Sequence, residues 1–226
     1  MRLHDLEGVT VVRVTSTSGR VEMVAEPRTD MSVSAGAVSR EGSSLTVDAG
    51  TNAVVVRVPE GVSVMVGSDS GRVTMTGKFD AVGVASESGR IFVDEARSVD
   101  VRSTSGRIDV GRCLETCRAR SGSGRVQVGE TGNLDVHTES GRISVGRTAG
   151  PVVARATQGR IDIGIGAPSD VSAETMTGKI VLSLAEGLGA QVDLESSGRV
   201  DNAAPTGPDC HIVARSVTGR VQVQSQ

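Results

Sequence analysis

One phrase recurs along the chain and restricts what the chain can become: Ser-Gly-Arg followed by Val or Ile, as in Ser105-Gly106-Arg107-Ile108-Asp109-Val110. Its glycine, or the glycine of a close variant, stands at Gly19, Gly71, Gly89, Gly106, Gly124, Gly141, Gly159, Gly178, Gly198 and Gly219. From Gly71 the spacings are 18, 17, 18, 17, 18, 19, 20 and 21 residues. That period suits one winding of a β-solenoid and none of the helical repeats.

The residues around each glycine support strands on either side of it. At seven, five and three residues before it come Val82, Val84 and Ser86; Val99, Val101 and Ser103; Cys117, Ala119 and Ser121; Leu134, Val136 and Thr138. These alternate with charged or polar residues such as Asp100, Arg102, Arg118, Arg120, Asp135 and His137. A period of two with one apolar face is a half-buried strand. Two and four residues after the glycine come Ile91 and Val93, Ile108 and Val110, Val126 and Val128, Ile143 and Val145, and Ile161 and Ile163, a second strand per winding. The inward parity changes across Gly-Arg, so the pair turns a corner, and glycine admits the positive φ a corner commonly needs. The small residue just before it (Ser88, Ser105, Ser123, Ser140) is expected to stack inside that corner and to bond a neighbouring backbone group or hydroxyl.

The expected fold is therefore all-β, a single-chain parallel β-solenoid with about 17–18 residues per winding. One domain spans 1–226, with irregular windings or a cap over 21–61, regular repeats over 62–166 and looser windings over 167–226. With no Trp, no Tyr and two Phe, the interior must be built from Val, Ile, Leu and Ala, which suits a narrow, regular core. Asn202-Ala203-Ala204-Pro205-Thr206-Gly207-Pro208 reads as a protruding loop.

The motif Arg57-Val58-Pro59-Glu60-Gly61-Val62, followed by Ser70-Gly71-Arg72-Val73 and the iterated Ser-Gly-Arg-Ile phrases, resembles the bacterial β-strand-repeat family called toastrack or adhesin-like, from about Val12 to Val223. The resemblance implies a right-handed solenoid with no established catalytic residues. It also implies relatives attached to membrane segments and associated with envelope-stress systems. This sequence has no run of 18 apolar residues and no leader-like start, so it reads as cytoplasmic unless it is a piece of an exported or membrane-anchored protein.

Chemistry is harder to find. Net charge is −3 with mixed signs, which gives no global field for nucleic acid, and no aromatic platforms accompany the basic residues. Cys113, Cys117 and Cys210 are odd in number and match no zinc spacing, so neither disulfides nor a metal nor any other cofactor is expected. Cys117 falls in a column of buried hydrophobes. For an enzyme acting on polysaccharide, Asp100 with Asp135 or Glu139 with His137 would be the acid/base candidates, but strand alternation produces such pairs by default. No catalytic residue is assigned.

The row after the glycines is the notable surface feature: Arg72, Arg90, Arg107, Arg125, Arg142, Arg160, Lys179, Arg199 and Arg220. Stacked about 5 Å apart, neighbouring cations repel by roughly 0.8 kcal/mol even at the dielectric of water. Asp69, Glu87, Glu139, Asp109, Asp162 and Asp201 stand close enough in sequence to offset this and make a solvated, charge-laced edge. Left uncompensated, the row from Arg72 to Lys179 is the candidate site for an anionic polymer. Structural or scaffolding use is the leading expectation, with a protein partner or self-association through an open end winding. Val221 and Val223, in the last winding of the chain, are the candidate assembly edge.

Overall fold

A computed structural model describes residues 2–225. Every regular element in it is a strand. In chain order these are β1 (Arg2–Asp5), β2 (Val11–Ser16), β3 (Val21–Glu26), β4 (Asp30–Val33), β5 (Ala37–Glu41), β6 (Ser44–Asp48), β7 (Val54–Pro59), β8 (Ser63–Thr148), β9 (Val152–Ile165), β10 (Asp170–Leu184), β11 (Ala190–Ser196), β12 (Arg199–Ala203) and β13 (Cys210–Ser225). The long runs, β8 above all, are successive extended segments whose corners do not break the ladder. The protein is an all-β parallel solenoid, with antiparallel pairing confined to β1–β4, β4–β7 and β5–β6. Compactness divides the chain into two units, Met1–Leu114 and Glu115–Gln226.

The windings stack in the register set by the repeated phrase. In the second unit Gly141 lies opposite Gly159, Gly159 opposite Gly178, and Gly178 opposite Gly219. The inward positions before the glycine (Leu134, Val136, Val152, Ala154) and after it (Ile143, Val145, Ile161, Ile163) are all buried. In the first unit the same holds for Val82, Val84, Val99 and Val101, and for Ile91, Val93, Ile108 and Val110. A third inward column appears where each winding returns: Phe79, Ala96 and Cys113 in the first unit, Thr131, Thr148, Ile165 and Leu184 in the second.

The corner is built differently from the sequence expectation. The buried hydroxyl belongs to the residue three before the glycine, and it donates to the carbonyl two residues on: Ser86 to Ser88 O (3.1 Å), Ser103 to Ser105 O (3.1 Å), Ser121 to Ser123 O (3.1 Å) and Thr138 to Ser140 O (3.3 Å). Ser123 and Ser140 themselves are exposed. A carbonyl turned inward at the corner needs a donor, and only the inward-facing residue can reach it. The glycine is required twice over. Gly141 has φ of 143°, and a Cβ there would overlap the Gly124 carbonyl oxygen.

Stacking order departs from chain order in each unit. In the first, β2 lies between β6 and β8, and β3 lies between β7 and β8. The winding of β6 and β7 is thus stacked outside the earlier winding of β2 and β3. This explains the step of 52 residues from Gly19 to Gly71, because Gly71 packs directly on the Gly19 carbonyl. In the second unit β13 lies between β10 on one side and β11 with β12 on the other. The last winding of the chain is therefore not the last of the stack. Val221 and Val223, expected at an open edge, are fully buried and paired on both flanks, Val221 with Ile180 and Val200, Val223 with Leu182 and Asn202.

Charge contributes locally. In the first unit Asp80 accepts from Arg97 Nε at 2.6 Å and from Ser63 Oγ at 3.0 Å. The Arg97 hydrogen bond leads in holding the Asp80 carboxyl below its usual range, against the opposing effect of burial. A carboxyl depressed on folding contributes stability above its unfolded pKa and loses it as pH falls through the folded value. Asp80→Asn is expected to lower stability at neutral pH and to flatten the acid limb of a pH–stability profile below about pH 4, read by urea denaturation.

Candidate interaction surfaces

Two surfaces carry the residues that sequence singled out. The first is the corner row of cations. In the second unit Arg142, Arg160, Lys179, Arg220 and Arg199 occupy one register position across successive strands. Arg125 adjoins Arg142, because Gly141 packs on Gly124. Some of these cations are neutralised by the outward residue two places along their own strand: Arg160 with Asp162 at 2.7 Å and Arg199 with Asp201 at 2.7 Å, Asp201 also reaching Arg220 at 3.8 Å. Arg125, Arg142 and Lys179 form no ion pair among the described residues, since Gln127, Ser144 and Val181 stand where a carboxylate would be needed. In the first unit Arg20, Arg72, Arg90 and Arg107 make the equivalent row, by the contacts of Gly19, Gly71, Gly89 and Gly106. Arg107 meets Asp109 at 2.7 Å. Asp69, Glu87 and Glu139 form no ion pair among the described residues.

The second surface is the outer layer of the second unit, β11 with β12. Its strands pair with β13 along one flank, and the other carries a single bridge, Ala190 with Thr206, among the described residues. The loop after β12 folds back over the beginning of β11: Ala190 N donates to Pro205 O (2.8 Å) and Gly189 N to the Asp209 carboxylate (2.9 Å). Its corner is one residue shorter than that of β13. Ser196 faces Ser216 while Arg199 faces Arg220, and Gly198 N donates to Ser196 Oγ (3.1 Å) to close it. This missing residue is the phase slip of Val192 and Leu194 visible in the sequence. The layer leaves its inward side open. Val200 is 41% exposed and Val192 and Leu194 are half-buried, whereas their counterparts Val221, Ile212 and Ala214 are fully buried.

Of the acid/base candidates, His137 and Glu139 are both exposed, two places apart on one strand. His137 is exposed in a register column with Arg155, Glu174, Arg215 and Glu195, where Arg155 binds Glu174 at 3.2 Å. Asp100, in the first unit, binds Arg102 at 3.3 Å. Cys113, Cys117 and Cys210 are buried and joined in no disulfide, and no three His, Cys, Asp or Glu side chains among the described residues could share a metal ion. Among the described residues no helix is long and apolar enough to cross a membrane. Sequence reasoning did not single out a shallow trough in the second unit, with Arg155, Glu174 and Arg215 on one side and Met176 and Val217 on the other. Met176 and Val217 are 58% and 65% exposed. Large apolar residues at outward positions of successive windings were its sequence signal.

The register and corner chemistry account for a repeat that extends over most of the chain, and the family model Toastrack DUF4097 matches residues 12–204. The chain belongs to the Toastrack family. No curated protein matches the sequence. A solved structure described as a "putative cell adhesion protein" from Clostridium sporogenes is similar at 7% identity, over 100% of this chain and 97% of that one, with a TM-score of 0.24. In this Toastrack chain the two surfaces above lie on opposite kinds of geometry: the cation row on the flank of the ladder, the β11–β12 layer at its limit.

Proposed function

We propose that this Toastrack protein is a non-catalytic interaction scaffold that associates with a second copy of itself through the β11–β12 layer. The observation that carries the reading is the unfinished state of that layer: unpaired strand edges beside part-exposed Val192, Leu194 and Val200. Within the second unit the layers of β9, β10 and β13 are paired along both flanks. Another layer of the same composition, from a second copy, supplies the missing half.

The usual guards against edge pairing are weak here. No proline lies within β11 or β12, and no lysine. The acids of β11 are engaged by Arg215, which lies 3.6 Å from Asp193 and 3.5 Å from Glu195, while Arg199 is engaged by Asp201. Like-charge repulsion between two such edges is thereby reduced. An envelope-stress setting, implied by the family resemblance, suits a scaffold of this kind.

Light scattering across a concentration series, at low and high salt, is expected to show a mass rising to that of a dimer and persisting in salt, because the contact is apolar and backbone-mediated. Leu194→Lys with Val200→Lys should return the protein to a monomer with little change in unfolding midpoint, both side chains being already part-exposed. A wild type that stays monomeric throughout would overturn the proposal.

A further inference from the structure

We infer that the corner of the second unit is a binding site for a linear acidic polysaccharide, centred on Arg125, Arg142 and Lys179. This goes beyond self-association and concerns a different surface.

Charge separates the two units. Around the first unit's row, the columns flanking Arg20, Arg72, Arg90 and Arg107 hold four carboxylates, Glu22, Asp69, Glu87 and Asp109, so the row is balanced in charge, with Arg107–Asp109 the ion pair formed within it among the described residues. Around the second unit's row, six cations meet three, Glu139, Asp162 and Asp201. Strand spacing sets neighbouring cations about 4.8 Å apart. Arg125, Arg142 and Lys179 form no ion pair among the described residues, and with three carboxylates for six cations the row keeps an excess of positive charge that an external anion would offset. Guanidinium forks suit carboxylate groups, and a row of them suits a polymer that repeats such groups.

The columns beside the cations indicate what else the ligand carries. One place before the glycine stand Ser140, Gln158, Thr177 and Thr218, in register and exposed, with no side-chain hydrogen bond among the described residues. These groups donate and accept, as sugar hydroxyls require. One further place back, Met176 and Val217 expose apolar surface in adjoining windings. Cations, hydroxyl and amide groups, and apolar contacts in parallel lines match the carboxylates, hydroxyls and C–H faces of a uronic acid polymer. A polyphosphate offers only the first of these.

The test uses the full chain with three polymers in low salt: polygalacturonate, polyphosphate and neutral dextran. Polygalacturonate is expected to bind, more weakly as salt rises because the charges are exposed. The variant Arg125→Gln/Arg142→Gln/Lys179→Gln should weaken binding by about tenfold or more, which corresponds to about 1.4 kcal/mol. Arg72→Gln/Arg90→Gln, in the first unit, should change it by less than about twofold. Amide exchange of the wild type gives a reading free of any variant's folding, with polygalacturonate expected to protect residues 123–127 and 140–144 but not 70–74. The inference is overturned if polygalacturonate does not bind, if polyphosphate binds as well or better, or if the first-unit variant loses as much as the second-unit one.

Discussion

Gly141→Ala is expected to destabilise the second unit by about 3 kcal/mol or more, lowering the midpoint of thermal unfolding by roughly 6–12 °C. Two costs act together. The residue sits at φ 143°, where an L side chain is strained, and its Cβ would occupy the space of the Gly124 carbonyl oxygen, a backbone atom held in the ladder. Relief would require the windings to separate at the corner, which breaks the bonds that stack them. The contrasting substitution is Gly83→Ala in the first unit. There a Cβ meets nothing nearer than the Met65 side chain at 3.6 Å, and φ is not positive. Removing a glycine from such a site reduces the freedom of the unfolded chain, so its effect should be neutral or a gain of up to about 1 kcal/mol. Calorimetry of the two variants decides the matter. Equal losses would mean that the repeated glycine is there for composition and not for the corner.

Removal of residues 210–225 is expected to cost far more than one terminal layer. β13 buries Cys210, Ile212, Ala214, Val221 and Val223, on the order of 8–10 kcal/mol of apolar burial. In a stack that followed chain order, its loss would expose one new edge and leave the rest intact. Here β13 also holds β11 and β12, whose other parallel contact is the single bridge of Ala190 with Thr206. Hydrogen exchange should therefore show residues 190–203 losing protection along with the deleted winding. Retained protection there would show that β11 and β12 can re-pair with β10, and that the observed order is not required.

Much of this was legible in the sequence because a solenoid repeats its physics with its residues. Ile108, Val110, Ile143 and Val145 announce a buried strand by alternation alone, and Gly106 and Gly141 announce the corner. The inward hydroxyl at the corner was misplaced by two residues. Ser103 and Ser105 are both serine, and only the direction of the side chain separates the buried one, which bonds within its own corner, from the part-exposed one, which reaches the Glu87 carbonyl of the neighbouring winding. Stacking order was not legible for a deeper reason. Alternation reports which face of a strand is buried, and it is the same whether a winding lies above or below its predecessor. The hints were irregularities: the step of 52 residues from Gly19 to Gly71, and the missing residue between Ser196 and Gly198. The cation row could be read as a row, but its compensation could not. Asp109 and Asp162 sit on the strand after the corner and reach their arginines, whereas Glu87 and Glu139, just as close in sequence, precede it and do not.

The placement of β13 between its neighbours also bears on force. A strand at the limit of a sheet can be peeled away one hydrogen bond at a time, so tension on it meets little resistance. Val221, Val223 and the rest of β13 are bonded along both flanks to strands running parallel to it. Tension applied at the C-terminus is directed along β13 and loads both ladders in shear, with many bonds sharing it at once. The part of the second unit nearest the C-terminus is thus the part that gives way least readily, while the unfinished β11–β12 layer stays out of the line of pull.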